Sequence, residues 1–279
     1  MKFSFLTYQF ARFPLEYCFK MAKEYGFEGV EVWGARPHAY AFDMDKQAIQ
    51  DILGWKKKYG VEISMLTPEL LAYPYNLVSA SVKEQKETVE YLKRNLENAA
   101  AMGTDMMQIA VKHPGYGRDK DEVWNILVER VGELCQHAEH VGVDIIMEHL
   151  SPSEGTLLTT ADDIVRLQRQ VNSKACCTMI DMVPPFIANE PYSEYFDKTY
   201  GMKYVHLCNC DGSTEFHMQL DDPAGMIPMT DFMRILKRCG YDGWCSVELL
   251  APYFRDPELY LSQSMRAIDR MCEEAGISR

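Results

Sequence analysis

Four residues with the chemistry of metal ligands each stand at or next to the end of a short apolar run. Glu148 closes VDIIME (143–148), Asp181 closes CCTMID (176–181), His206 lies in KYVHL (203–207) and Glu248 in WCSVEL (244–249). Continued burial would favour another apolar residue at each of these places, so the charges need a reason. Three carboxylates brought together repel one another unless a cation sits among them, and a divalent metal is the natural occupant. The donor set, three carboxylates and one imidazole, suits Mn, Co, Mg, Ni or Zn rather than Cu(I) or an iron–sulfur cluster.

For these four to meet, their runs must lie side by side and end at the same level. The chain supplies such a frame. Apolar strands are predicted at 3–8, 29–33, 61–66, 105–111, 143–148, 176–181, 203–207 and 244–249, and they alternate with amphipathic segments of helical period. Helices are predicted over Leu15 to Tyr25, Lys46 to Tyr59, Ser81 to Met102, Asp121 to His140, Ala161 to Val171, Pro228 to Cys239 and Pro257 to Ala275. The segment around Tyr192 to Phe196, between strands six and seven, has the weakest helical pattern. Thr160 with Asp163 three residues on forms a helix start signal, and YGFEGV, MGTDMM and CGYDGW place glycine where a helix stops before a strand. Eight βα units in this length predict a (β/α)8 TIM barrel, a single domain over residues 1–279. In that fold active sites are built at the carboxyl ends of the strands, which is where the four ligand-type residues fall, on strands five to eight.

Composition narrows the classes. The chain of 279 residues has a net charge of −12, which makes nucleic acid an improbable partner, and a mean hydropathy of −0.27. No apolar run approaches the roughly 20 residues that cross a bilayer. The beginning MKFSFLTYQFARF lacks the pattern of a signal peptide, so a cytoplasmic protein without a membrane partner is expected. Nine scattered cysteines without a CxxC read as reduced core thiols. His206, Cys208 and Cys210 alternate and could share a face as a zinc site, but they lack a CxxC partner. There is neither a glycine-rich phosphate loop nor a GxSxG elbow.

Other residues at the same end could meet a substrate. Trp33, Arg36 and His38 follow strand two, where the indole could pack on a sugar and Arg36 could hold a carboxylate bidentately. Glu69, after strand three, could pair with an ammonium. Lys112 and His113 follow strand four, His217 is an outer contact at most, and His149 is turned away from a metal by strand alternation.

Beyond the four ligand-type residues, the stretches EVWGARPHAYAFD (31–43), TPELLAYPYNL (67–77), MEHLSPSEG (147–155), IDMVPPFIANEP (180–191), EYFDK (194–198), HLCNCDG (206–212) and GYDGWCSVEL (240–249) carry a resemblance over nearly the whole chain. They resemble the sugar isomerase and epimerase family with the xylose-isomerase-like barrel, and within it the fructoselysine 3-epimerase subgroup. The resemblance implies a metal-dependent ketose 3-epimerase that inverts C3, here of fructoselysine to psicoselysine. It also implies that Glu148, Asp181, His206 and Glu248 bind the metal, that Glu148 and Glu248 are the catalytic acid and base, and that Glu154 contacts the substrate. The chemistry is consistent, because a C3 proton α to a ketone is made acidic by a cation on O2 and O3, and two opposed carboxylates permit inversion through an enediolate.

Two positions depart from the related free-ketose epimerases. Pro184 and Gly212 stand where those have a sugar-binding histidine and arginine, which favours a C1-substituted ketose over fructose or tagatose. Another sugar or polyol isomerase, or an inosose dehydratase, of the same barrel remains an alternative, and an abasic-site endonuclease a remote one. The expected assembly is a homo-oligomer, dimer or tetramer.

Overall fold

The computed structural model describes residues 1–250 and 253–279. Eight parallel strands follow one another as β1 Lys2–Phe5, β2 Gly29–Gly34, β3 Glu62–Pro68, β4 Met106–Ala110, β5 Asp144–Glu148, β6 Cys176–Asp181, β7 Met202–Leu207 and β8 Trp244–Val247. They pair in sequence from β2 to β8, and β8 pairs with β1. Between β1 and β2 a parallel bridge, Leu6 to Glu31, closes the circle, so the architecture is a TIM barrel.

The helices α1 Leu15–Tyr25, α2 Lys46–Tyr59, α3 Val82–Met102, α4 Lys120–Val141, α5 Ala161–Val171, α6 Val183–Ala188, α7 Ser193–Lys198, α8 Met229–Arg238 and α9 Pro257–Ala275 connect the strands. Their starts have local causes. Asp45, Ser81 and Asp119 each accept from the amide three residues on, and Thr160 and Asp163 form a reciprocal capping box at α5. Gly26 and Gly103 end α1 and α3 at φ +80° and +74°, where a side chain would be strained.

The crossover between β6 and β7 differs from the expected single weak helix. It holds two short ones, and α6 starts on Val183-Pro184-Pro185, because proline needs no amide partner in a first helical turn. Strand β1 is also shorter than expected, since Thr7–Phe10 turns into a 3-10 segment that carries Tyr8 over the barrel mouth.

Two apolar layers result. The larger lies between strands and helices, and a smaller one, Met65, Met106, Ile146, Cys177, Met179 and Tyr204, fills the barrel's interior. Because side chains alternate along a strand, the residue two beyond each inner residue also points inward. Ile146 therefore predicts an inward Glu148, Met179 an inward Asp181 and Tyr204 an inward His206, one layer nearer the carboxyl end. His149, of opposite parity, packs at a tilt against Tyr195 at a centroid distance of 4.5 Å.

Candidate metal centre

Glu148, Asp181, His206 and Glu248 each present a ligand atom, and the four atoms all lie within 4.8 Å of one another. His206 is the hub. Its Nδ1 is 2.7 Å from Glu248 Oε2, 3.2 Å from Glu148 Oε1 and 3.6 Å from Asp181 Oδ2. Asp181 Oδ2, His206 Nδ1 and Glu248 Oε2 are buried without a hydrogen-bond partner. Orphaned buried polar atoms are costly, so three of them converging on one point is what a cation site requires. The donor chemistry fits a divalent metal as well.

The residues behind the centre set its electronics. The other nitrogen of His206, Nε2, lies 3.1 Å from both oxygens of Glu31, which places the ring proton there and turns the Nδ1 lone pair to the cluster. Glu31 is fully buried and also accepts from Thr67 and, at 3.2 Å, from the Tyr204 hydroxyl. The Tyr204 hydroxyl in turn meets Ser64 at 2.6 Å and Ser4 at 3.1 Å. Gln108 donates to Glu148, and the Val183 amide donates to Asp181 Oδ1 at 2.7 Å. His217 Nδ1 lies 3.2 Å from Glu248 Oε2.

These surroundings drive the two glutamates apart. Burial pushes Glu148 up to about 7, with Glu248 and Asp181 adding to it and His206 offsetting part. Burial acts on Glu248 in the same sense, but His206 and His217 outweigh it and hold its carboxyl well below the usual range. Burial opposes charge on His206 too, yet Glu248 and Glu31 lift it well above an ordinary histidine, so a cation in the cluster would take the place of the Nδ1 proton.

The centre opens into a cavity of about 850 Å³, a figure that includes solvent-open space. Of the residues expected to meet a substrate, Trp33, Glu69 and Glu154 line it, and the Trp33 indole donates to Glu69 at 3.0 Å. Arg36 does not reach it. Its guanidinium is exposed, forks onto Asp43 at 2.6 and 2.7 Å and lies over Tyr40, so the nearest carboxylate in its own loop has taken the clamp expected for a substrate. His38 is also absent from the lining. It is buried, with one ring nitrogen 3.0 Å from the Thr7 hydroxyl and the other 3.0 Å from the Phe13 carbonyl, which gives it a structural task.

Four residues in or behind the site carried no assignment in the sequence, Glu31, Tyr204, Gln108 and Glu215, and a fifth, His217, expected as an outer contact at most, lies against Glu248. Glu31 had a signal, a charge within the apolar strand GVEVW. The other four are polar residues whose place depends on which strands and loops become neighbours. Cys208 lies near Asp181 and His217, the three forming a second ligand-type group, whereas Cys210 joins neither group.

Comparison with known proteins agrees with the geometry. The sequence model of the xylose isomerase-like TIM barrel family matches residues 19–271. Fructoselysine 3-epimerase of Escherichia coli O157:H7 is 32% identical over 275 residues, covering 98% of this chain and 99% of that one. Among solved structures, a D-tagatose 3-epimerase-like protein superposes with a TM-score of 0.84 at 20% identity, over 99% of this chain and 98% of that one. D-psicose 3-epimerase from Clostridium cellulolyticum H10 does so with a TM-score of 0.83 at 18% identity, over 98% and 99%. Among the described residues no helix is long and apolar enough to cross a membrane.

Proposed function

The chain belongs to the xylose isomerase-like TIM barrel family and is an isomerase of the ketose 3-epimerase group, and on that premise we propose that it is a divalent-metal-dependent epimerase that inverts C3 of fructoselysine. The observation that carries the reading is the convergence of four buried ligand-type side chains, three of them with orphaned atoms, at the carboxyl end of the barrel. Glu148, Asp181, His206 and Glu248 would hold the metal. When bound, it supplies Lewis-acid stabilisation for the negative charge that develops on O2 when C3 loses its proton.

The proton transfers belong to the chain's own residues. Glu248 is the base for one epimer, and Glu148 is the acid that returns a proton. Reversibility exchanges the two roles. Gln108 orients Glu148 and His217 orients Glu248. Trp33, packed at a tilt against Tyr8 at 4.8 Å, offers an apolar wall beside the centre, and Glu69 and Glu154 are polar contacts for the substrate. Pro184 lines the cavity where free-ketose epimerases carry a histidine, and a side chain at Gly212 would meet Met226 and Phe186. Neither can clamp a free sugar's hydroxyls, which supports a C1-substituted ketose.

The test is proton NMR in D₂O with Mn²⁺- or Co²⁺-loaded protein, offering fructoselysine beside fructose, with Glu248→Gln as control. Deuterium at C3 together with a new epimer of unchanged mass, lost in the control, is the expected result. Exchange with fructose but not fructoselysine would move the substrate, loss of one water would make the protein a dehydratase, and no exchange would refute the reading.

A further inference from the structure

Ligand atoms converge at a second place beside the four-ligand centre. Asp181, Cys208 and His217, all three buried, also bring one donor atom each within 4.8 Å of one another. The two groups share Asp181 and differ in kind, because the second contains a thiol. Cys208 lies two residues beyond His206 and is fully buried, and His217 comes from the segment held by the bridge between Asn209 and Met218.

The spacings suit a tetrahedral cation. With bonds of about 2.3 Å to sulfur and about 2.0 Å to nitrogen or oxygen, a tetrahedral zinc holds S and O roughly 3.5 Å apart and two N or O donors roughly 3.3 Å apart. Cys208 Sγ lies 3.6 Å from Asp181 Oδ1, and His217 Nε2 lies 3.6 Å from Asp181 Oδ2. Glu215 Oε1, 3.7 Å from His217 Nε2, is within reach as a fourth donor. His217 Nδ1 faces Glu248 Oε2 at 3.2 Å, the kind of carboxylate that a metal-binding imidazole commonly has at its other nitrogen, which leaves Nε2 for a cation. As a neutral thiol, Cys208 makes one long contact to Asp181, and Asp181 Oδ2 and Glu215 Oε2 stay buried with no hydrogen-bond partner among the described residues. Asp181, Glu215 and His217 line the cavity, and among its described lining residues there is no lysine or arginine to oppose a further cation.

We propose that Asp181, Cys208 and His217, with Glu215 as the fourth donor, form a second cation site that takes zinc, beside the first and joined to it through Asp181. A carboxylate has two oxygens and can serve two cations. The thiolate sets the preference: it is soft, so the site favours Zn²⁺ or Co²⁺ over Mg²⁺, and the cation takes the place of the thiol proton. The proposal concerns binding and does not depend on which sugar the enzyme turns over.

Titration of the metal-free full-length chain with Co²⁺, followed by absorption and by metal analysis, tests it. Wild-type protein should hold two equivalents per chain and show the near-ultraviolet charge-transfer band of a cobalt–thiolate bond. Zn²⁺ should extinguish that band and Mg²⁺ should leave it. Cys208→Ser should lose the band together with one of the two equivalents, and Cys208→Ala answers the same question if the serine unsettles the core. X-ray absorption of the zinc-saturated wild type should show sulfur at about 2.3 Å, with no variant needed. Saturation at one equivalent, absence of zinc-bound sulfur, or a band that survives loss of Cys208 overturns the proposal. Deuterium exchange at C3 in the same samples separates the two readings: exchange with one cation and no thiolate band keeps the epimerase and removes the second site, and two cations with the band but no exchange does the reverse.

Discussion

Replacing Glu31 by glutamine tests whether the centre depends on a residue that touches no metal. Glu31 is fully buried, and both its oxygens lie 3.1 Å from His206 Nε2. The negative charge there makes the imidazole a stronger donor at Nδ1 and fixes its tautomer. Glutamine keeps the shape and one acceptor oxygen, and its amide can donate to the Thr67 or Tyr204 hydroxyl, each of which can rotate to accept. The barrel should therefore fold as before, with only the charge removed. Loss of such a partner costs about 10–100-fold in metal affinity, or about 1.4–2.8 kcal/mol. Mn²⁺ titration followed by electron paramagnetic resonance measures the dissociation constant, and C3 exchange at saturating Mn²⁺ measures turnover. The expected outcome is weaker metal binding with turnover largely restored by excess metal. An unchanged dissociation constant would refute the argument that Glu31 tunes His206, and turnover that excess metal does not restore would show that Glu31 acts in some other way.

Arg36→Ala should leave KM for fructoselysine within about twofold, since its partner is a surface carboxylate and exposed pairs contribute little; a large rise in KM would put the guanidinium back at the substrate. In metal-free protein the melting temperature should fall as pH rises from about 6.5 to 8, above the range in which buried His149, lowered to about 4, and His38, also lowered, act in the opposite sense. Glu148 and Glu154 have folded-state values raised to about 7 and about 8, chiefly by burial, and His206 and His217 are raised well above theirs despite burial. A raised group gives stability that is present below its unfolded value and lost as pH climbs through the folded one. Mn²⁺, which binds the deprotonated set, should flatten the fall, and differential scanning fluorimetry with and without chelator reads both. Tyr204→Phe should lower stability by about 1–3 kcal/mol in urea unfolding, because Ser64, Ser4 and Glu31 lose a shared buried partner; an unchanged midpoint would mean that they find one another without it.

The ligand-type residues were legible because each ends or nearly ends an apolar run, and the parity of a strand decides which side a charge takes. Glu31 carries a different signal, a charge inside an apolar run, and its surroundings in the sequence mask it. In GVEVW the valines alternate with Glu31 and Trp33, a pattern that in an ordinary sheet would turn the glutamate to solvent. In a closed barrel the apolar face goes to the helices, where Val30 and Val32 lie, and the other face goes to an interior that tolerates polar groups if they are paired. Arg36 and His38 were misplaced because their partners, Asp43 in one case and Thr7 with the Phe13 carbonyl in the other, depend on how the loop after β2 folds. Glu215 and His217 lie on a segment whose course is set by a bridge between Asn209 and Met218, which has no counterpart in local periodicity.

Comparing Glu31 with Glu248 separates a supporting charge from a ligand. Each is a buried glutamate beside His206. Glu31 has partners for both oxygens, from His206, Thr67 and Tyr204, and so its burial is compensated within the chain. Glu248 Oε2 has no hydrogen bond, nor has Asp181 Oδ2 or His206 Nδ1, although all three are buried together. Burying such groups without hydrogen bonds opposes folding. The ionic contacts among them, 2.7 Å from His206 Nδ1 to Glu248 Oε2 and 3.6 Å to Asp181 Oδ2, offset part of that cost. One cation accepting all of the ligand atoms at once would offset that cost, and its binding energy would then become folding energy.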